Sequence, residues 1–316
     1  MSPSSASDPA TRRDFLRHGS ALLLAAGLTP SALADLAASA TTPASSSAAP
    51  APDATTPAIA ALGWRVSVQH WTYRRVPLFD SLALAAEVGL RHFEPRSILP
   101  LDARRPGQNA DETMPDDARR ELRARIDDLG LTFPSVYADF TGQPDQARRA
   151  LDFWQDFGVR DVVSEPPPKS VAMLQEQFAA RGMRLALHNH QRTKSEYWHP
   201  FIVTDHCKDR GTHIGACCDV GQWTRSNLSP LESLRHLQGR QISFHLKDVL
   251  TKGDLDCRNT VIGEGAAECA ACLAELKTHG YRGLVSIDFE HDTPALQSDM
   301  RKNIAFIDAI ARRLAA

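Results

Sequence analysis

Between residues 64 and 289 the chain alternates eight times between a short apolar run and a longer stretch with helical periodicity. The spacing predicts strands at 64–69, 90–94, 131–136, 159–164, 183–189, 213–218, 241–246 and 284–289, with helices between them. Gly89, Gly130, Gly158, Gly182 and Gly280 each stand where a helix gives way to the next strand, the usual place of a C-cap glycine. Eight such units in about 250 residues match a single (β/α)8 barrel. The alternative is an open doubly wound sheet. It is disfavoured because Gln69-His70-Trp71-Thr72 follows the first strand, where a dinucleotide-binding fold has a glycine-rich turn.

The first part of the 316 residues has a different composition. Arg12 and Arg13 precede Phe15-Leu16 and an apolar run, Ala21 to Leu28, that is too short to span a bilayer. This pattern resembles a twin-arginine export signal and divides the chain into a signal peptide (1–40), an Ala/Ser/Thr/Pro linker (41–58) and a barrel domain (59–316). The expected partner of the precursor is the twin-arginine export machinery. The expected location is the periplasm or the exterior, with no stable membrane insertion after processing. Thirty-six basic against thirty-eight acidic residues, a net charge of -2, give no footprint for nucleic acid. The six cysteines do not form a metal-binding pair of pairs. Cys269 and Cys272 sit in an alanine-rich helical pattern and read as small buried side chains, and a disulfide is left open.

Strand periodicity selects the residues that face the barrel axis. In "LALHNH", Ala186, His188 and His190 share one face; in "GACCD", Gly215, Cys217 and Asp219 do. Ser243, His245 and Lys247 alternate with Ile242, Phe244 and Leu246, and Ser286, Asp288 and Glu290 with Val285, Ile287 and Phe289. Four consecutive strands thus end in ionisable groups on the face opposite their larger apolar residues, at the end where barrel enzymes carry their chemistry. His188, Asp219, His245 and Asp288 offer two imidazoles and two carboxylates, a donor set suited to one Mn²⁺, Co²⁺, Zn²⁺ or Fe²⁺ rather than Ca²⁺. A lone Asp after a strand is also a common helix N-cap, a second reading of Asp219. Candidate acid–base groups are His190, Glu290 and Glu165, with Lys247 as a cationic partner for a developing oxyanion. Trp71, Tyr73, Trp198 and Trp223 are expected near the mouth as apolar faces for a ligand. Arg74, Arg96, Lys194 and Arg225 are candidates for an anionic group, and Glu94 ends the second strand in the substrate-contact set.

The segments "WTYR", "LALHNH", "CCDVGQW", "SFHLKDV" and "VSIDFE", in that order, resemble the sugar phosphate isomerase/epimerase-like family of xylose-isomerase-type TIM barrels, among them exported members acting on 3-keto sugars and inosose dehydratases. The resemblance implies one divalent ion, most often Mn²⁺, held by Glu, Asp, His and Glu on strands five to eight. Asp219 and His245 match that pattern. His188 replaces the strand-five glutamate, Asp288 is one methylene shorter than the strand-eight glutamate, and Gln222 stands where the family has a substrate-contacting histidine. Two-glutamate 3-epimerisation therefore lacks one of its bases. The resemblance implies a metal-dependent lyase, hydratase or isomerase acting on a keto sugar or 3-keto glycoside through an enediolate, with a small carbohydrate as ligand. The alternatives are a sugar 3-epimerase/isomerase and a non-catalytic sugar-binding barrel with a decayed metal site. The sequence leaves the oligomeric state open, including a homo-oligomer.

Overall fold

The amphipathic segments become helices that cover a ring of strands. In Pro144–Asp156, proline occupies the first turn, and Ala147, Ala150, Leu151 and Trp154 form the buried stripe. The chain then turns at Gly158, which has a φ of 81°. The other four glycines expected after helices also have positive φ. The computed structural model describes residues 51–316. The arginine pair, the apolar run and residues 41–50 lie outside them. The packed body begins before Ile59: Ala54 is buried, its N–H donates to Gly89 O at 2.9 Å, and Pro57–Ala61 is helical. The end of the expected linker is therefore part of the domain.

Eight parallel strands are hydrogen-bonded in the order β2-β1-β8-β7-β6-β5-β4-β3. They are β1 Arg65–Gln69, β2 His92–Glu94, β3 Ser135–Tyr137, β4 Asp161–Ser164, β5 Arg184–His188, β6 Ile214–Asp219, β7 Gln241–Leu246 and β8 Leu284–Ile287. Bridges from His92 to Thr132 and from Arg96 to Tyr137 bring β2 and β3 together and nearly close the barrel. A small antiparallel ribbon, Asp248–Val249 with Asn259–Thr260, follows β7. Among the described residues no helix is long and apolar enough to cross a membrane.

Two strand expectations need correction. β3 starts at Ser135, not Leu131, because Pro134 has no N–H to give to the ladder, and the strand runs on to Tyr137. Ile242 does not face the helices. The register between β6 and β7 slips at Ala216/Cys217, pairing Cys217 with Ser243. Ile242 then joins Tyr137, Val163, Ala186 and Cys217 in an apolar group separate from the helix-facing core. A Cβ on Gly215 would meet Arg240 O at 2.3 Å and Ile242 Cδ1 at 2.8 Å, so the space beside Gly215 is filled by Ile242. All six cysteines are free and buried.

Candidate metal centre and active site

β6 delivers Asp219 to the C-terminal end of the barrel, where the chain turns directly into the helix Val220–Arg225. The N-cap reading of this aspartate holds for one oxygen, and the other is left without a hydrogen bond. Oδ1 caps the helix, accepting from Gln222 N at 3.0 Å. Oδ2 makes no hydrogen bond and lies 3.2 Å from Lys247 Nζ and 3.5 Å from His188 Nε2. Asn189 fixes the strand end, donating from Nδ2 to Asp219 O and accepting from Asp219 N, both at 2.9 Å.

Lys247 is almost fully buried, and its ammonium faces three carboxylates. It is 2.9 Å from Asp288 Oδ2 and 3.2 Å from Asp219 Oδ2, and it is aligned as a hydrogen-bond donor to Glu290. The glycine of "DVGQW" gives its side chain a path: a Cβ on Gly221 would lie 2.5 Å from Lys247 Cγ. Lys247 does not pair with Asp248, whose carboxylate instead accepts from the N–H groups of Val249, Gly263, Gly265 and Ala267. One cation cannot neutralise three carboxylates. Burial pushes Asp219 up, but Lys247 and then His188 outweigh it and hold the carboxyl well below its usual range. Burial also pushes up Glu290, yet Lys247 brings it down to about 2. Asp288 stays above its usual range: burial dominates, and the neighbouring Glu290 and Asp219 oppose the relief from Lys247. Burial disfavours the Lys247 ammonium, and the three carboxylates more than restore it.

Two further carboxylates orient the imidazoles. His245 Nε2 lies 2.7 Å from Glu94 Oε1, which leaves Nδ1 without a partner. His188 Nδ1 lies 3.1 Å from Glu165 Oε1 and 3.3 Å from Tyr137 Oη, which leaves Nε2 without one. Burial lowers His188, but Asp219 and Glu165 override it and raise it to about 9. Glu165 also pairs with His190 Nδ1 and accepts from Tyr137 Oη at 2.5 Å. Burial raises Glu165, and His188 and then His190 outweigh it, holding it well below the carboxylate range.

This arrangement fits a divalent ion. His188 Nε2, Asp219 Oδ2, His245 Nδ1 and Asp288 Oδ1 are buried polar atoms without a hydrogen-bond partner. Ligand atoms of Asp219, His245 and Asp288 lie within 4.8 Å of one another. The 3.5 Å from His188 Nε2 to Asp219 Oδ2 is close to the edge, about 3.4 Å, of a tetrahedron with arms of about 2.1 Å. Carboxylates that hold the far nitrogens of ligating histidines are the usual outer partners of such a centre. Above it lies a cavity of about 180 Å³ lined by Trp71, Arg96, Tyr137 and His190, with His188, Asp288 and Glu290 at its inner wall.

Comparison with known proteins agrees with this fold. A family model described as xylose isomerase-like TIM barrel matches residues 169–310. The chain has the fold of a xylose-isomerase-like TIM barrel. A solved protein of Parabacteroides distasonis ATCC 8503, described as putative and uncharacterized, is 25% identical over 77% of this chain and 98% of its own, with a TM-score of 0.61. A xylose isomerase-like TIM barrel protein of Mycobacterium smegmatis, solved in complex with magnesium, is 15% identical over 81% and 99%, with a TM-score of 0.65. A probable 3-DHS dehydratase involved in petrobactin synthesis, from Bacillus anthracis, is 12% identical over 76% and 97%, with a TM-score of 0.59. No curated protein matches the sequence.

Within this xylose-isomerase-like barrel, His188, Asp219, His245, Asp288, Lys247, Glu290, Glu165, His190, Glu94 and Trp71 come together at one end. Of the other expected contacts Arg96 lines the cavity, while Tyr73, Arg74, Lys194, Trp198, Gln222, Trp223 and Arg225 do not. Trp223 belongs to the hydrophobic core outside the strands, because the helix after Asp219 turns it away from the axis. Arg225 points behind the site to Cys257 O at 2.9 Å and Asn259 Oδ1 at 2.7 Å. Arg74 is paired with Asp292 at 2.6 Å. Gln222 is buried beside Asp219, with its Oε1 unpaired. Tyr73 is also in the core. Tyr137 was missed: ending β3 at Val136 left out the residue that carries the hydroxyl. A larger cleft of about 810 Å³, between Arg65, Arg160 and Arg184, lies at the opposite end of the barrel and contains none of these groups.

Proposed function

We propose that this barrel is a metal-dependent sugar-modifying enzyme: a lyase, hydratase or isomerase that removes a proton next to a carbonyl of a keto sugar or 3-keto glycoside. The observation that carries the reading is the set of four unpartnered ligand atoms on β5 to β8 beside a small polar cavity. A divalent ion held by His188, Asp219, His245 and Asp288 would supply the electrophile that polarises the carbonyl. His190 is the proton acceptor in this account. It faces the cavity and is backed by Glu165, which stabilises the imidazolium as it forms. Glu290 is the weaker base, being committed to Lys247. Lys247 holds the carboxylate cluster and steadies negative charge on the substrate oxygen. Trp71 offers an apolar face to the ring, and Arg96, stacked 4.2 Å from the Tyr137 ring centroid, offers a cation at the rim.

The test is exchange. Metal-loaded protein incubated with a 3-keto glucoside in D₂O should place deuterium on the carbon beside the carbonyl, and His190→Gln should slow this by about 10²–10⁴-fold. Metal-loaded protein that gives neither exchange nor product across a panel of keto sugars would leave the non-catalytic sugar-binding barrel as the better account. That second reading has one observation in its favour, the Lys247 ammonium standing among the carboxylates.

We further propose export by the twin-arginine route, on the Arg12-Arg13 pattern alone. Replacing both with lysine should leave precursor in the cytoplasm. Unchanged processing would exclude the route.

A further inference from the structure

Below the carboxylates, the inner face of β6 carries Cys217, two residues before Asp219. Cys217 is the direct cross-strand neighbour of His188, as Asp219 is of His245. Ligand atoms of His188, Cys217 and His245 lie within 4.8 Å of one another, and all three residues are buried. The nitrogens left free by Glu165 and Glu94 belong to these same two histidines. The centre therefore has two levels that share His245. The upper one, with Asp219 and Asp288, is rich in oxygen, and the lower one is two imidazoles and a thiol.

Filling space does not require sulfur at this position. Ser67 on β1 and Ser286 on β8 alternate with residues of the helix-facing core and so face the same interior, where Ala186 also lies, and Ser243 on β7 is paired with Cys217 itself. Alanine or serine would serve the packing. What sulfur adds is ligand chemistry. Thiolate prefers Zn²⁺ and other borderline or soft ions, imidazole suits the same ions, and an oxygen-only shell suits Mg²⁺ and Mn²⁺.

We propose that Cys217 is a ligand of this chain's metal centre and makes it select Zn²⁺ or Co²⁺ over Mn²⁺. On binding, the Cys217 S–H proton passes to solvent and the sulfur donates its electron pair to the ion, with no change of oxidation state. This rests on the metal-centre reading above and goes beyond it in naming the sulfur ligand and the ion it favours.

Metal-free wild-type protein should be loaded with Co²⁺, Zn²⁺ and Mn²⁺ in turn, with bound metal measured directly. The cobalt form should show a thiolate-to-metal charge-transfer band in the near ultraviolet. X-ray absorption of the zinc form should show one sulfur at about 2.3 Å. Cys217→Ser should abolish the band. It should weaken Co²⁺ and Zn²⁺ by at least the roughly 10–100-fold seen when outer partners are lost, and leave Mn²⁺ within a few-fold. The absorption measurement needs no variant, so a Cys217→Ser protein that fails to fold does not block the test. Bound zinc with a shell of nitrogen and oxygen only, or a band that survives Cys217→Ser, would overturn the thiolate while the centre stands. Protein that takes up none of the three ions would overturn both.

Discussion

Two clusters of charge in this barrel are built from the same kinds of side chain and end in opposite conditions. Near the surface, Asp102, Asp117 and Glu121 meet Arg104, Arg105 and Arg125, three carboxylates against three guanidiniums. None of their carboxylate oxygens is left buried and unpaired. At the barrel mouth Asp219, Asp288 and Glu290 meet one ammonium, and oxygens of both aspartates have no hydrogen-bond partner. The first cluster closes its own charge, as a structural network does. The second keeps an excess of negative charge inside the protein, beside two histidine nitrogens that also lack partners. That imbalance costs stability and is retained where a cation is to be bound.

The largest expected effect comes from removing the one cation of the open cluster. Lys247→Met should destabilise the metal-free protein by about 3–5 kcal/mol in urea unfolding, since three buried carboxylates lose their partner. Added Zn²⁺ or Co²⁺ should return part of the loss. A variant as stable as wild type without metal would break the contrast between the clusters.

The next effect sharpens the contrast, because it touches orientation and not charge count at the ligands. Glu94→Gln and Glu165→Gln should each weaken metal binding by about 10–100-fold while the fold melts as a single unit. Calorimetric titration reads this directly. Unchanged affinity in both variants would mean that the histidines are held by packing alone.

The smallest effect belongs to the closed cluster. Burial raises Glu121, but Arg105, Arg104 and Arg125 outweigh it and hold it at about 2, against an ordinary 4.5. A lowered folded-state value means that the contribution is complete above about 4.5 and is lost as pH falls toward 2. Stability should therefore fall across that window, and Glu121→Gln should remove the share of the fall that belongs to Glu121 without altering metal uptake, leaving the share of Glu290, also held at about 2. A fall unchanged in the variant would place the acid sensitivity wholly at the barrel mouth.

The difference between what was and was not legible in sequence follows the halves of the barrel. β5 to β8 announce themselves, because each ends in ionisable residues at alternating positions, and the glycines between helices and strands mark the units. In β1 to β4 the contributing residues are single. Tyr137 is hidden by the boundary: Pro134 delays the start of β3, and the strand ends one residue beyond the expected apolar run. Glu94 was named for substrate, but it serves His245, because the partner lies 151 positions away in sequence. Trp223 and Arg225 were misjudged for a local reason: strand alternation stops at Asp219, and the helical turn that Asp219 itself caps sends both side chains off the axis. The slip at Cys217 that turns Ile242 inward depends on pairing between β6 and β7, which no local pattern encodes.

The central claim is that the unpartnered atoms of His188, Asp219, His245 and Asp288 form a divalent-metal centre. Its most direct test is elemental analysis joined to thermal melting of metal-free wild-type protein with added Zn²⁺, Co²⁺ or Mn²⁺. The account predicts about one bound ion per chain with at least one of these metals. At free metal a hundredfold above the dissociation constant it predicts about 2.7 kcal/mol of stabilisation, a rise of about 5 °C in Tm, absent in Asp219→Ala. No bound ion and an unchanged Tm with all three metals would contradict it.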